Sequence, residues 1–286
     1  MKKVLVAGAT GYLGKFLVEE LAKNNFEVSA ITRNPNKIEE LKRIGAHNVL
    51  VAEVTDKNAL SDICNGIDIV ISAVGKTKQK DKYKYMDVDY QANKDLLDEA
   101  ERADVKKFIY VSGLGSERFS DVSLYGAKLK FEKELKSSGI NYAIAYPGGF
   151  FIDMLEMLEL AKKGNAYLYG DGNNSINPIH GADVAEEVVK MIDSDAKEKT
   201  FAGPEVFTQR EVMELAYKVI GKPAPKFKTT PAWLVRGIFK TLKLFTPEKV
   251  YGNMEFVTTV ATNDLVAEPA GSRKLEDYFK ENMSVI

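Results

Sequence analysis

Short aliphatic runs alternate with amphipathic stretches through the first half of the chain. Lys3-Val4-Leu5-Val6-Ala7 is the first run, and residues 26–32, 48–54, 67–74, 107–111 and 141–146 repeat it. Between them, residues 15–24, 36–44, 57–65, 86–102 and 124–138 read as helices. Several strand candidates are continuous Val/Ile runs, the pattern of strands covered by helices on both faces. Repeated strand-helix alternation predicts right-handed crossovers and a doubly wound, mostly parallel α/β sheet. Such sheets take ligands at the carboxyl ends of their strands, where the strand order reverses.

After Pro147-Gly148-Gly149 the rhythm changes, and glycines, asparagines and prolines cluster, as in Tyr169-Gly170-Asp171-Gly172-Asn173-Asn174. The spacing predicts a helix over 182–193. A second starts at Thr208-Gln209-Arg210-Glu211, a capping-box sequence, and ends before Gly221. A third runs from Pro231, at its first turn, to Phe245. The division expected is a core over 1–147 and a smaller lobe over 148–286, interleaved with the core as a single structural unit.

The first strand breaks into Gly8-Ala9-Thr10-Gly11-Tyr12-Leu13-Gly14 before a helix. Gly8 suits a tight turn, Gly11 a close approach to a pyrophosphate, and Gly14 close helix-sheet packing. The helix N-terminus favours the anion. The strand-turn-helix context is what gives a glycine triplet weight as a dinucleotide site. A net charge of -1 gives no reason to expect nucleic acid. Cys64 is the single cysteine and His47 and His180 the only histidines, so no intrachain disulfide and no metal site are expected. The chain opens without the pattern of a signal peptide and has no apolar stretch of about 20 residues. The expected compartment is the cytoplasm.

NAD-specific sites place an acid at the end of the second strand. Here that strand ends Thr32-Arg33-Asn34-Pro35-Asn36-Lys37. A guanidinium at Arg33 suits a 2′-phosphate, with Lys37 adding charge, so NADP is expected over NAD. The competing reading is of two ordinary solvated charges.

The glycine turn resembles the fingerprint of the short-chain dehydrogenase/reductase superfamily, in its extended and atypical branch of NmrA-like and isoflavone-reductase-like proteins. Thr32-Arg33-Asn34-Pro35 is similar to that branch's NADP-binding segment. Glu53-Val54-Thr55-Asp56 resembles its adenine-contacting stretch, with Glu53 in place of the usual Asp. Val105 to Ser112 resembles the fifth strand leading to an active-site serine, and Tyr146-Pro147-Gly148 the Arg-Pro-Gly after the sixth. Asn177-Pro178-Ile179-His180-Gly181-Ala182-Asp183-Val184-Ala185 resembles a later signature. The resemblance covers roughly residues 2–220. It implies a Rossmann-type core over 1–147 and a substrate-side lobe over 148–286. It implies cofactor contacts from Gly8, Thr10, Gly11, Tyr12, Leu13, Gly14, Arg33, Lys37, Glu53, Val54, Ala73, Val74, Lys128 and Pro147. The substrate would be a small organic molecule.

Catalysis in this superfamily uses a Tyr four residues before a Lys on one helix, the Lys lowering the Tyr pKa. In Leu124-Tyr125-Gly126-Ala127-Lys128, with Glu132 four residues on, Lys128 fits the Lys position and Leu124 occupies the Tyr position. Tyr125 lies on the same broad face, three residues before Lys128. It is the candidate proton donor, with Ser112 as a candidate contact to a substrate oxygen; the alternatives are a packing aromatic and a turn serine. Two functions stand: an NADP(H)-dependent oxidoreductase or epimerase-like enzyme, and a non-catalytic NADP(H)-binding redox sensor.

Three features lie outside this scheme. The lysine-rich stretch over 76–85 fits a solvated loop, a lid or an attractor of acidic substrate. His180 is a candidate base or a structural histidine beside a helix that Asp183 could cap. Trp233, Leu234, Ile238, Leu242 and Phe245 recur at helical spacing with Arg236, Lys240 and Lys243 between them. This stripe over 233–245 fits a helix packed on its own protein, a substrate lid, or a basic amphipathic helix on a membrane surface. The oligomeric state is not legible.

Overall fold

The aliphatic runs become a parallel sheet. In the structure, a computed structural model that describes residues 1–76 and 83–284, β1 (Lys3–Ala7), β2 (Glu27–Thr32), β3 (Asn48–Val51), β4 (Ile69–Ser72), β5 (Lys107–Val111) and β6 (Tyr142–Pro147) are joined by β9 (Glu198–Phe201). Their order is β3-β2-β1-β4-β5-β6-β9, which reverses between β1 and β4. Val6 is level with Ala30 and Ile71, Ile71 with Ile109, and Ile109 with Ala143. This apolar row crosses five strands on one face. Leu5, Val70 and Phe108 form a row on the other face, within a core that includes Leu96, Leu97 and Phe131.

The chain divides into two compact units, Met1–Tyr146 with Val184–Lys199, and Pro147–Asp183 with Thr200–Ile286. In the first, α1 (Tyr12–Lys23) buries Leu13, Leu17, Val18 and Leu21 on one face. It is followed by α2 (Ile38–Arg43), α3 (Asn93–Arg102) and α4 (Ser123–Ser137).

Two helices read from periodicity differ in the structure. Residues 57–65 form only a 3₁₀ turn at Lys57–Leu60, because Asp62 takes a left-handed φ of 61° that no helix accommodates. The long helix over 86–102 is two pieces. Met86–Ala92 is wound in wide turns of the i→i+5 kind, and regular α3 follows. The unpredicted strand β9 has the sequence Glu-Lys-Thr-Phe with only Phe201 buried. An edge strand needs little apolar surface, so no aliphatic run announces it.

The second unit holds α5 (Phe151–Lys162), β7 (Tyr167–Tyr169), β8 (Ser175–Ile176), β10 (Phe207–Thr208), α7 (Gln209–Val219), β11 (Lys228–Thr230), α8 (Ala232–Phe245), α9 (Glu248–Ala261) and α10 (Leu275–Asn282). α6 (Gly181–Lys190) leads from it back to the first unit. Phe151, Leu158, Val212, Met213, Leu275 and Phe279 are central to its core. The capping box at Thr208 forms as predicted: its hydroxyl accepts the Glu211 N–H, and Glu211 accepts the Thr208 N–H.

Asp183 does not cap α6. It lies within the helix and pairs with Arg273, against Gly271, where an added Cβ would overlap its carboxylate. Asn177 donates to the carbonyls of Gly203 and Ala267 and accepts the Ala267 N–H. In the second unit this signature is therefore a clasp on later segments of the chain.

Candidate functional site

Two glycines fix the turn between β1 and α1. Gly8 has φ +81°, and a Cβ there would lie 2.8 Å from the Ala73 carbonyl oxygen. A Cβ on Gly14 would lie 2.1 Å from the Gly8 carbonyl oxygen and 2.7 Å from the Ala9 Cα. Backbone thus meets backbone at both places, and only glycine permits it. Gly11 is the N-cap of α1, without a side-chain cap, and the first turn carries no acid. Thr10, Tyr12 and Leu13 complete this segment, with the Tyr12 ring edge-on to Phe16. The α1 N-terminus therefore keeps its positive dipole end without a protein anion in its first turn, the arrangement that suits a phosphate.

The exit of β4 lies against this turn. Ala73 and Val74 are held there by two buried polar residues. Ser72 donates to Asn93 and accepts the Val74 N–H, and Asn93 donates to the carbonyls of Val74 and Asp89. The following residue, Gly75, runs over an ion pair: its Cβ position is 2.9 Å from Asp89 Oδ1 and 3.5 Å from Lys128 Nζ.

That pair is buried within the first unit. Lys128 Nζ, on α4, is 3.3 Å from Asp89 Oδ1, which belongs to the wide turns before α3. Lys128 also donates to the Tyr110 hydroxyl, at 3.4 Å. Asp89 Oδ2 accepts the Lys76 N–H. Asp89 is fully buried, and the Lys128 side chain is 12% exposed. Burial opposes the ammonium, but Tyr110 and Asp89 outweigh it, so Lys128 is held above the ordinary lysine value. Burial raises the Tyr110 phenol, so it stays protonated.

One turn along α4, Glu132 makes a second buried cluster. It accepts hydrogen bonds from Ser112 at 2.5 Å and from Tyr146 at 3.1 Å. Burial, together with Glu132, raises the Tyr146 phenol. Ser112 thus directs its hydroxyl at a carboxylate of its own unit. Tyr125 donates to the Leu114 carbonyl at 2.9 Å and packs beside Phe119. Burial lifts its phenol to about 12. The structure therefore groups Lys128 with Tyr110 and Asp89, and turns the Tyr125 hydroxyl towards backbone.

At the end of β2, two local turns bracket Arg33. Thr32 accepts the Asn34 N–H, and Asn34 accepts the Asn36 N–H. Arg33, 57% exposed, lies 3.6 Å from Glu53. Glu53 also accepts the Thr55 N–H, across partly buried Val54. Lys37 pairs with Glu40, which Lys15 also meets, and the two lysines draw the Glu40 carboxyl down to about 2.

In the second unit, which begins with Pro147, His180 lies edge-on to Phe151 and Tyr278 and accepts the Ala182 N–H at Nδ1. Residues 77–82 of the lysine-rich stretch lie outside the described residues. Among the described residues no cluster of three or more His, Cys, Asp or Glu side chains could hold a metal ion, and no helix is long and apolar enough to cross a membrane.

A family model described as NAD(P)H-binding matches residues 8–195, about two thirds of the chain. The chain belongs to this NAD(P)H-binding family. Its parallel sheet and glycine turn agree with that family. It is 30% identical over 253 residues to divinyl chlorophyllide a 8-vinyl-reductase of Arabidopsis thaliana, covering 80% of this chain and 60% of the reductase. The alignment with the Cucumis sativus reductase covers 58% of that protein, so the chain spans about three fifths of these two curated relatives. It is 25% identical over 276 residues to the photosystem II assembly factor Ycf39 of Guillardia theta, covering 95% of this chain and 84% of the factor. In fold it resembles the NADPH-dependent quinone oxidoreductase QOR2 of Escherichia coli, solved with NADPH. That comparison has a TM-score of 0.75 at 21% identity and covers 97% of this chain and 99% of the other.

Sequence reading passed over Asp89, Tyr110, Glu132 and Tyr146 as site residues. Asp89 and Tyr110 were hidden in segments that read as ordinary helix and strand. Glu132 carried a usable signal: a carboxylate one turn after a candidate lysine, on the same helix face. Gly75, directly after a buried strand, carried another.

Proposed function

We propose that the chain is an NADP(H)-dependent oxidoreductase acting on a small organic acceptor. The observation that carries this reading is the buried Lys128–Asp89 pair with Tyr110, in contact with Gly75 at the exit of β4, the strand whose Ala73 meets the Gly8 turn. Gly8 and Gly14 let the turn close tightly, Gly11 at the α1 N-cap would let a pyrophosphate approach the backbone, and Arg33 is the group for a 2′-phosphate. Lys128, fixed in its charged form, would bind and orient sugar hydroxyls. Bound there, the nicotinamide supplies or accepts a hydride.

Tyr125 is committed to the Leu114 carbonyl and has a raised pKa. That arrangement disfavours protonation of a simple alkoxide. It favours acceptors whose reduced form is a stabilised anion that water can protonate, such as conjugated alkenes or quinones. The vinyl-reductase relative carries a name of this class. Loss of reduced-nicotinamide absorbance with quinones and conjugated enones, exceeding that with simple ketones, is the expected result. Turnover of simple ketones alone, abolished by Tyr125→Phe, would overturn it.

The same Tyr125 bond favours a second reading, a non-catalytic redox sensor. Partner capture that differs between NADP and NADPH, with no turnover of any acceptor, would establish it.

A further inference from the structure

At 100° per residue, α8 divides into three arcs. Val235, Phe239 and Leu242 form the packed arc: Val235 is buried and the other two partly so. Arg236, Lys240 and Lys243 fall on a second arc, from which Lys243 pairs with Glu255 of α9. The third arc, about 140° wide, carries Trp233, Leu234, Ile238, Leu244 and Phe245. These five are exposed, Trp233 by 74% and Phe245 by 80%. Val250 and Met254 of α9 are exposed as well. An ordinary surface helix turns its polar side outward. Here the outward arc is apolar and aromatic, and the basic arc borders it.

The sequence around α8 is basic. Residues 222–254 hold seven lysines and arginines against one acid, Glu248, in a chain whose net charge is -1. An exposed Trp and Phe with a flanking cationic band is the arrangement of a helix that lies in the plane of a bilayer interface. The band is complementary to anionic headgroups.

We infer that α8, with the start of α9, docks the protein on an anionic lipid surface. Trp233 and Phe245 enter the headgroup boundary, and the basic arc stays at its level. The helix lies on the membrane and does not span it.

Trp233 is the only tryptophan of the chain, so its emission reports on this face alone. The full chain is mixed with vesicles of phosphatidylcholine, or of phosphatidylcholine with phosphatidylglycerol, then sedimented. The expected result is co-sedimentation and a blue shift of emission with the anionic vesicles, both weakened by salt. Phe245→Glu and Leu234→Glu should each lower partitioning about tenfold or more, since each replaces an exposed apolar side chain that the bilayer would bury with a charge. Both residues are exposed, so the thermal transition of each variant should match the wild type. No shift with either vesicle overturns the inference. Equal binding to both vesicles overturns the anionic assignment. A shift that depends on protein concentration without lipid, with a doubled mass in light scattering, assigns the face to a second copy instead.

Discussion

Replacing Asp89 by Asn keeps the shape of the side chain and removes its charge. Lys128 then keeps a buried ammonium that has lost its counter-ion. At 3.3 Å and an effective dielectric constant of about 20, the lost attraction is about 5 kcal/mol. Removing one partner of a buried pair typically costs about 3–5 kcal/mol, in agreement. At about 2.1 cal/mol/K of unfolding entropy per residue, a chain of 286 residues should lose about 5–8 °C in Tm. The pH dependence gives an internal check. In the wild type the lysine pKa is raised, so its stabilisation is present below the unfolded value near 10.5 and is lost only above it. In Asp89→Asn, burial is opposed only by the hydrogen bond to Tyr110, and the lysine pKa falls. The variant therefore regains stability as pH rises towards the unfolded lysine value near 10.5, and its gap to the wild type should narrow on that approach. The double variant Asp89→Asn/Lys128→Met buries neither charge and should recover most of the lost Tm. On the proposed role of Lys128 as a cofactor ligand, it should not recover NADPH affinity, because the ammonium is gone. Differential scanning fluorimetry and an NADPH fluorescence titration measure both. An unchanged Tm in the single variant, or a double variant as unstable as the single, refutes the reasoning.

Three further outcomes follow from particular geometries. Arg33→Ala should weaken NADP about 10- to 100-fold in a binding titration and NAD less than about twofold, the effect of one charge-assisted bond to a 2′-phosphate. Gly14→Ala forces a Cβ onto two backbone atoms and must push α1 away from the turn. Misplacement on that scale should raise the NADPH Kd about 100-fold, whereas Gly139→Ala, which meets nothing within 4 Å, should leave it unchanged. Cys64 is buried, and desolvation with nearby Glu99 lifts its thiol to about 12. Iodoacetamide at pH 8.5 should leave it unlabelled by mass spectrometry until denaturant is added. Because its pKa is raised on folding, its contribution is complete below about pH 9 and declines as pH climbs towards 12.

The parallel sheet was legible because its central strands β1, β4 and β5 are buried on both faces and therefore read as aliphatic runs. β1, β4 and β5 appeared at or near their observed bounds. β9 was not legible, since an edge strand needs little apolar surface. The glycine turn was legible because steric exclusion at Gly8 and Gly14 acts over a few residues, which a local motif can encode. Arg33 was visible in the same way, as the residue next to the end of a predicted strand.

The arrangement around Lys128 could not be read locally. Asp89 is 39 positions before it in the chain and Tyr110 is 18, and the wide turns over Met86–Ala92 interrupt the helical period that would have placed Asp89. The direction of the Tyr125 hydroxyl depends on a carbonyl 11 residues away. The α8 stripe was plain in sequence, but periodicity records only that apolar residues share a helix side. Which side is covered is decided by α9 and the rest of the second unit, and the sequence pattern cannot choose between them. Short-range sterics and burial on both faces therefore wrote the nucleotide-binding fold into the sequence. The partners of each buried charge, and the face left open to solvent, came from tertiary packing of segments far apart in the chain.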